Sequence, residues 1–253
     1  MFHCQKLAWP VFCSFLLANT AHLSALVAPS VFPDTHLSQL QQLAPRLAPQ
    51  ALASALATLR RLQTSGVRVR SDVLTVIDYT KPSTERRLRV FDLVHTRVLF
   101  EELTAHGKNS GDNQAVRFSN APNSLMSSLG AFLTAGTYIG KHGLSLRLQG
   151  LDKGVNDNSM LRGIVIHAAD YVSEAFLKAK GSIGRSWGCP AVRPAIARRL
   201  IETVEGGTLV LAYYSPRSSR ARSPLLPSEI ALWVEAGLCL ARANSAALLP
   251  VSR

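Results

Sequence analysis

Six short runs between Val73 and Tyr213 do most to limit what this chain can fold into: 73–78, 88–93, 97–100, 144–148, 163–166 and 208–213. Each is rich in apolar residues, and in 144–148 Leu144, Leu146 and Leu148 interleave with Ser145 and Arg147. A period of two places one set of side chains on one face of a sheet, so these runs predict strands with an inward apolar face. Two stretches break the pattern with helical spacing, Tyr171 to Lys180 and Pro194 to Val204. The second opens on a proline, whose missing N–H has no intrahelical partner in a first turn, and closes at Gly206-Gly207. The expectation is a mainly β domain with packed helices, an α+β arrangement, over residues 70–215.

The flanks read differently. Residues 29–69 are expected to form a helical lead-in, because 36–63 is rich in Ala, Leu and Gln at helical spacing. Pro45 and Pro49 divide it into two short helices or one kinked helix packed on the domain. Residues 1–28 read as a secretory signal: Lys6 precedes an apolar core, 7–18, that is shorter than the ~20 residues of a bilayer span. Ala21 and Ala28 are the candidate cleavage positions. The expected location is therefore outside the cytoplasm, periplasmic or cell-wall associated. Residues 216–253 are expected to hold a basic linker and a C-terminal helix from Ser228 to about Leu248, docked on the domain or lying on a membrane surface.

The formal net charge of +12 attracts polyanions generally. Lys and Arg are dispersed, aromatic residues make up 7% and no nucleic-acid motif is present, so nucleic acid is not the expected partner. Anionic cell-wall polymer, lipid headgroups or simple solubility account for the charge. The sequence sets no oligomeric state.

The chemistry concentrates in the stretch 181–192, Gly-Ser-Ile-Gly-Arg-Ser-Trp-Gly-Cys-Pro-Ala-Val. Cys189 stands there in a glycine-rich loop, downstream of His167, which ends the apolar run 161–166. A thiolate is the reactive form of cysteine and needs a base or a cationic environment. Glycine before the nucleophile lets neighbouring N–H groups turn toward a developing oxyanion, so the pattern reads as acyl transfer. The plain alternative is a buried small hydrophobe. Cys4 and Cys13 fall in the expected signal, which leaves Cys239 as the other thiol, expected to pack on the C-terminal helix.

Seven pieces, the Cys189 stretch included, stand in one order along the chain: Asp78-Tyr79 with 82–87, 91–93, 106–111, 118–120, 127–130, 138–143, and Ile166-His167 with 184–190. Together they resemble the murein L,D-transpeptidase catalytic domain family, the YkuD-type fold, in its Trp-Gly-Cys-Pro branch. The resemblance implies an L,D-transpeptidase-type β-sandwich or open barrel at 70–215, with Cys189 as nucleophile and His167 as its base. Backbone N–H groups of Trp187, Gly188 and Cys189 would form the oxyanion hole. It also implies peptidoglycan stem peptides as substrate, a thioester intermediate and no cofactor. Most of the wider family has histidine where this chain has Trp187, and a basic residue sooner after the cysteine than Arg193.

Several residues carry two readings. Arg185 would hold a thiolate or substrate carboxylate, or brace its loop. Ser186 would donate in the site or shape the turn. His106 and His142 would line the cleft or serve packing, and Tyr138 and Trp187 would wall a substrate stem or enter the core. Asp170 is expected to be structural, because the resemblance implies that a backbone carbonyl orients His167. No short paired spacing of a zinc site is present, so no metal is expected. The alternatives to transpeptidation are hydrolysis at the same site, as a carboxypeptidase or endopeptidase, and a non-catalytic wall-binding protein.

Overall fold

The computed structural model describes residues 34–215 of the chain. The expected signal with Cys4 and Cys13, the basic linker, the C-terminal helix and Cys239 lie outside the described residues.

Eight strands of the described residues form one mixed sheet. Five lie in the runs that alternate in sequence: β1 (Arg70–Asp78), β2 (Leu88–Asp92), β3 (Arg97–Glu102), β5 (Gly143–Gly150) and β8 (Thr208–Tyr213). β6 is Val165–Ala168, shifted two residues toward the C-terminus from its run, so that His167 lies inside the strand. β4 (Gly130–Gly140) and β7 (Ala191–Val192) were not expected. The strand order is β3-β2-β1-β8-β4-β5-β6-β7, with the first and last strands unpaired with each other, so the sheet is open.

The central strands are apolar on both faces, and alternation sorts their side chains between two cores. Val73 and Ile77 of β1, Val90 of β2 and Val210 of β8 enter one core, which α4 (Pro194–Val204) covers. Leu74, Val76, Phe91, Leu209 and Leu211 enter the other, beneath α1 (Asp34–Leu43) and α2 (Pro49–Thr64). A sheet covered on both sides buries nearly every residue of its middle strands, as in β8 and the stretch 73–78 of β1. α2 starts with Pro49 in its first turn, and its Leu52, Ala55, Leu56, Leu59 and Leu62 make a buried stripe. Among the described residues no helix is long and apolar enough to cross a membrane.

α3 (Glu174–Lys180) begins three residues later than its apolar spacing predicts. Ser173 is the cause: its Oγ accepts the N–H of Phe176 at 3.2 Å, and Gly181 ends the helix at φ 74°.

Candidate active site

The nucleophile loop runs into β7, and β7 pairs in parallel with β6, setting His167 opposite Ala191. Cys189 thereby reaches the start of β6. Its Sγ accepts the N–H of Val165 at 3.5 Å and lies 3.6 Å from the carbonyl oxygen of Gly163. Burial pushes the thiol upward in pKa, against the Val165 N–H and the positive charge of Arg162, which lower it.

His167 is buried, and its Nδ1 lies 2.8 Å from the carbonyl oxygen of Ala168. A carbonyl only accepts, so Nδ1 carries the hydrogen and Nε2 keeps its lone pair. Asp170 is exposed and takes no part in this hydrogen bond. Desolvation lowers the imidazole's pKa, as do His142 and Lys141, while the Ala168 carbonyl raises it. The neutral form is thus favoured, as a base requires.

Both residues line a cleft of about 350 Å³, together with Arg162, Tyr171, Arg185 and Ser186. At its rim stand Tyr138, Lys141, His142 and Trp187. The indole of Trp187 is 68% exposed, with the Lys141 ammonium 5.3 Å from its centre, and Tyr138 carries the Arg147 guanidinium over its ring. Neither aromatic ring enters the core. His142, in the turn between β4 and β5, stacks on His167.

The loop's own hydrogen bonds decide which of its groups are free. Ser186 Oγ accepts the Gly188 N–H at 3.0 Å and donates to the Cys189 carbonyl at 2.7 Å, so this serine shapes the turn. The expectation that Gly188 lends its N–H to an oxyanion is corrected, because that hydrogen is already bound inside the loop. Among the described residues the N–H groups of Trp187 and Cys189 have no such acceptor. Gly188 has φ 125°, and a Cβ there would lie 2.7 Å from the Met126 carbonyl oxygen, so both conformation and contact demand glycine. Its own carbonyl accepts from buried Ser127 Oγ at 3.1 Å, and the same hydroxyl accepts the N–H of Gly107.

His106 does not line the cleft, which corrects its expected contact with substrate. It is fully buried, with Nδ1 2.7 Å from Nη2 of the buried Arg87 and Nε2 3.2 Å from the Gly111 carbonyl oxygen. Burial, and Arg87 beside it, lower its pKa to about 4. Its role is to hold up the strip 106–108, onto which Ser186 is zipped: Ser186 N donates to His106 O and Lys108 N to Ser186 O. Arg185 braces the neighbouring loop through Gly111 O at 3.2 Å and Asp112 at 2.5 Å while one side faces the cleft. Arg193 is held by Glu102 in a two-point fork, both contacts 2.7 Å. Among the described residues no group of three or more His, Cys, Asp or Glu side chains stands close enough to hold a metal ion.

Sequence reasoning missed Arg162, Lys141 and Tyr171 as cleft residues. The one signal for Arg162 was a cation placed within the apolar run that leads to His167.

The chain resembles solved structures of low identity. An L,D-transpeptidase from Mycobacterium smegmatis is 16% identical, with 56% of this chain and 59% of that one covered and a TM-score of 0.35. An L,D-transpeptidase from Stackebrandtia nassauensis is 14% identical over 72% of this chain and 78% of that one, with a TM-score of 0.33. The helical cell shape determining protein Pgp2 from Campylobacter jejuni is 14% identical over 65% and 57%, with a TM-score of 0.39. The chain thus spans about three fifths of the length of the Mycobacterium protein. No curated protein matches it. The family model of the L,D-transpeptidase catalytic domain matches residues 43–213, and with most of its 253 residues inside that match the chain belongs to this family, which acts on peptidoglycan peptides.

Proposed function

We propose that the protein is an exported cysteine acyltransferase that remodels peptidoglycan by L,D-transpeptidation through a thioester. The observation that carries this reading is that a half-buried thiol and a histidine whose Nδ1 is engaged by the Ala168 carbonyl, which leaves Nε2 to take a proton, line one cleft. Export rests on the sequence of residues 1–28.

In the first half-reaction the Cys189 proton passes to His167 Nε2 and Sγ bonds to the carbonyl carbon of the donor stem. The N–H groups of Cys189 and Trp187 are the free donors in the loop for the oxyanion. Collapse breaks the carbon–nitrogen bond, and the departing D-Ala amine takes the proton from His167. In the second, an amine of another stem attacks the thioester, gives its proton to His167 and releases the thiolate. Water in place of that amine makes the same site a carboxypeptidase.

Incubating the protein with a tetrapeptide-stem muropeptide tests the reading by mass spectrometry. The parent is expected to release the terminal D-Ala and form a cross-linked dimer, and Cys189→Ala to do neither. Release without a dimer would assign hydrolysis, and turnover by Cys189→Ala would overturn the thiol mechanism.

A further inference from the structure

Arg162 stands in the connection between β5 and β6, ahead of the strand that bears His167. Its Nη1 donates to Ser119 O at 2.7 Å and to Ser128 Oγ, and its Nη2 to Met126 O at 2.6 Å and Ser124 Oγ at 3.1 Å. All four acceptors are neutral. Among the described residues no carboxylate pairs with this guanidinium, and no Asp or Glu lines the cleft it shares with Cys189. A partly desolvated cation without a counter-ion is costly to hold, so the missing anion needs an identity.

Its position supplies one. A Cβ at Gly188 would sit 3.3 Å from Arg162 Nη2, so the guanidinium lies against the residue that precedes the nucleophile. The other charged or titratable groups around the thiol are His167 on β6, Tyr171 after it, Tyr79 just past β1, Lys141 and His142 in the β4–β5 turn, and Arg185 in the nucleophile loop. None of them is a carboxylate. His167 is favoured in its neutral form, and of the permanent charges around the cleft Arg162 is the one whose field lowers the pKa of the Cys189 thiol.

The clamp on Arg162 is a strained segment. Asn123 and Leu125 adopt φ 59° and 57°, a left-handed conformation that costs a non-glycine residue on the order of 1 kcal/mol and persists where the surroundings impose it. The four hydrogen bonds from Arg162 are such surroundings. Ser127, in the same segment, holds the Gly188 carbonyl, so one guanidinium ties the loop below the nucleophile to the charge beside it.

We propose that Arg162 is an electrostatic positioning residue, the fixed counter-ion that stabilises the Cys189 thiolate both when it forms and when it leaves the thioester. The proposal rests on Cys189 as the nucleophile. Its consequence is that the site needs no second histidine beside the cysteine, where this chain has Trp187.

The test is the pH dependence of Cys189 alkylation by iodoacetamide in the full chain, followed on the Cys189 peptide by mass spectrometry. Arg162→Gln is expected to move the midpoint to higher pH, and Arg162→Lys, which keeps the charge but not the fork, to stay near the parent. At neutral pH the Gln variant should react on the order of threefold more slowly, because loss of thiolate outweighs the greater nucleophilicity of a more basic thiol. Anionic iodoacetate should lose more rate than neutral iodoacetamide in Arg162→Gln alone. Midpoints that coincide in all three proteins, or that shift equally in the Lys and Gln variants, would overturn the proposal. Should Arg162→Gln not fold, Lys141→Ala removes the rim cation instead. Its iodoacetate-to-iodoacetamide ratio should stay above that of free cysteine, and a ratio equal to free cysteine would again overturn the proposal. None of these readings uses a peptide substrate, so inactivity on muropeptides would refute the proposed function and leave this result standing.

Discussion

The imidazole of His142 lies on that of His167 with ring centres 4.4 Å apart and planes inclined by 26°. A hairpin turn thus reaches across to cover the proposed base. After burial, the charge on a protonated His142 is one of the influences that lower the pKa of His167. His142→Phe keeps a ring in the stack and removes that charge. The acid limb of the acylation rate, where His167 becomes protonated, is therefore expected to move to higher pH. A pH–rate profile of single-turnover acylation checks this, and an unmoved limb would show that the stack does not tune the base.

His106 predicts how stability depends on pH. Its pKa is about 4 in the folded chain, against about 6.5 for an unfolded histidine. The stability is fully present above about 6.5 and is lost as pH falls toward 4, because the unfolded chain takes up the proton first. Across that window the loss reaches about 3 kcal/mol. His106→Gln, whose amide can accept from Arg87 and donate to Gly111 O, should flatten the dependence. Denaturant titrations at neutral and acid pH measure the slope for both proteins.

Ser127 is buried and joins two strips through one hydroxyl. Ser127→Ala leaves the Gly107 N–H and the Gly188 carbonyl without that partner, a cost of about 1–3 kcal/mol for each buried group left unpaired. Thermal unfolding should show the loss. Acylation should slow as well, since the nucleophile loop hangs on the Gly188 carbonyl.

Trp187 should behave in the opposite way. Being mostly exposed, it can be replaced by Ala with a stability change within about 0.5 kcal/mol. If its indole walls the stem peptide, the variant raises KM and leaves kcat nearly unchanged, the pattern of a contact made equally in ground and transition states. A fall in kcat with KM unchanged would place Trp187 in the chemistry instead.

How far these features could be read from sequence depended on whether their cause was local. α4 was legible to the residue, because Pro194 opens it and Gly206-Gly207 stands just past its end. β4 was not, since Gly130, Gly136 and Gly140 and its alanines and threonines dilute any alternation, and its burial changes from core to rim halfway along. β7 has two residues and exists only through its pairing with β6. Cys189 and His167 stood out by their setting in sequence. His106 and His142 looked alike, each followed by glycine, and only the fold sends one beneath the loop with Arg87 and the other into the cleft. Arg162 was hidden for the same reason, its four acceptors coming from a segment more than thirty positions away.

The place of β8 carries a consequence for the order of assembly. This strand is the last one of the described residues to leave the ribosome, yet among them it is the strand that pairs with both the β1–β3 half of the sheet and the β4–β7 half. Its partners on either side must wait for it, and pairing across so long a stretch of chain is slow. A nascent polypeptide that ends before Thr208 owns both Cys189 and His167 but has no continuous scaffold beneath them. The thiol should therefore stay catalytically silent during synthesis, and a chain cut short by a few dozen residues should be inert although every group in its cleft has already been made.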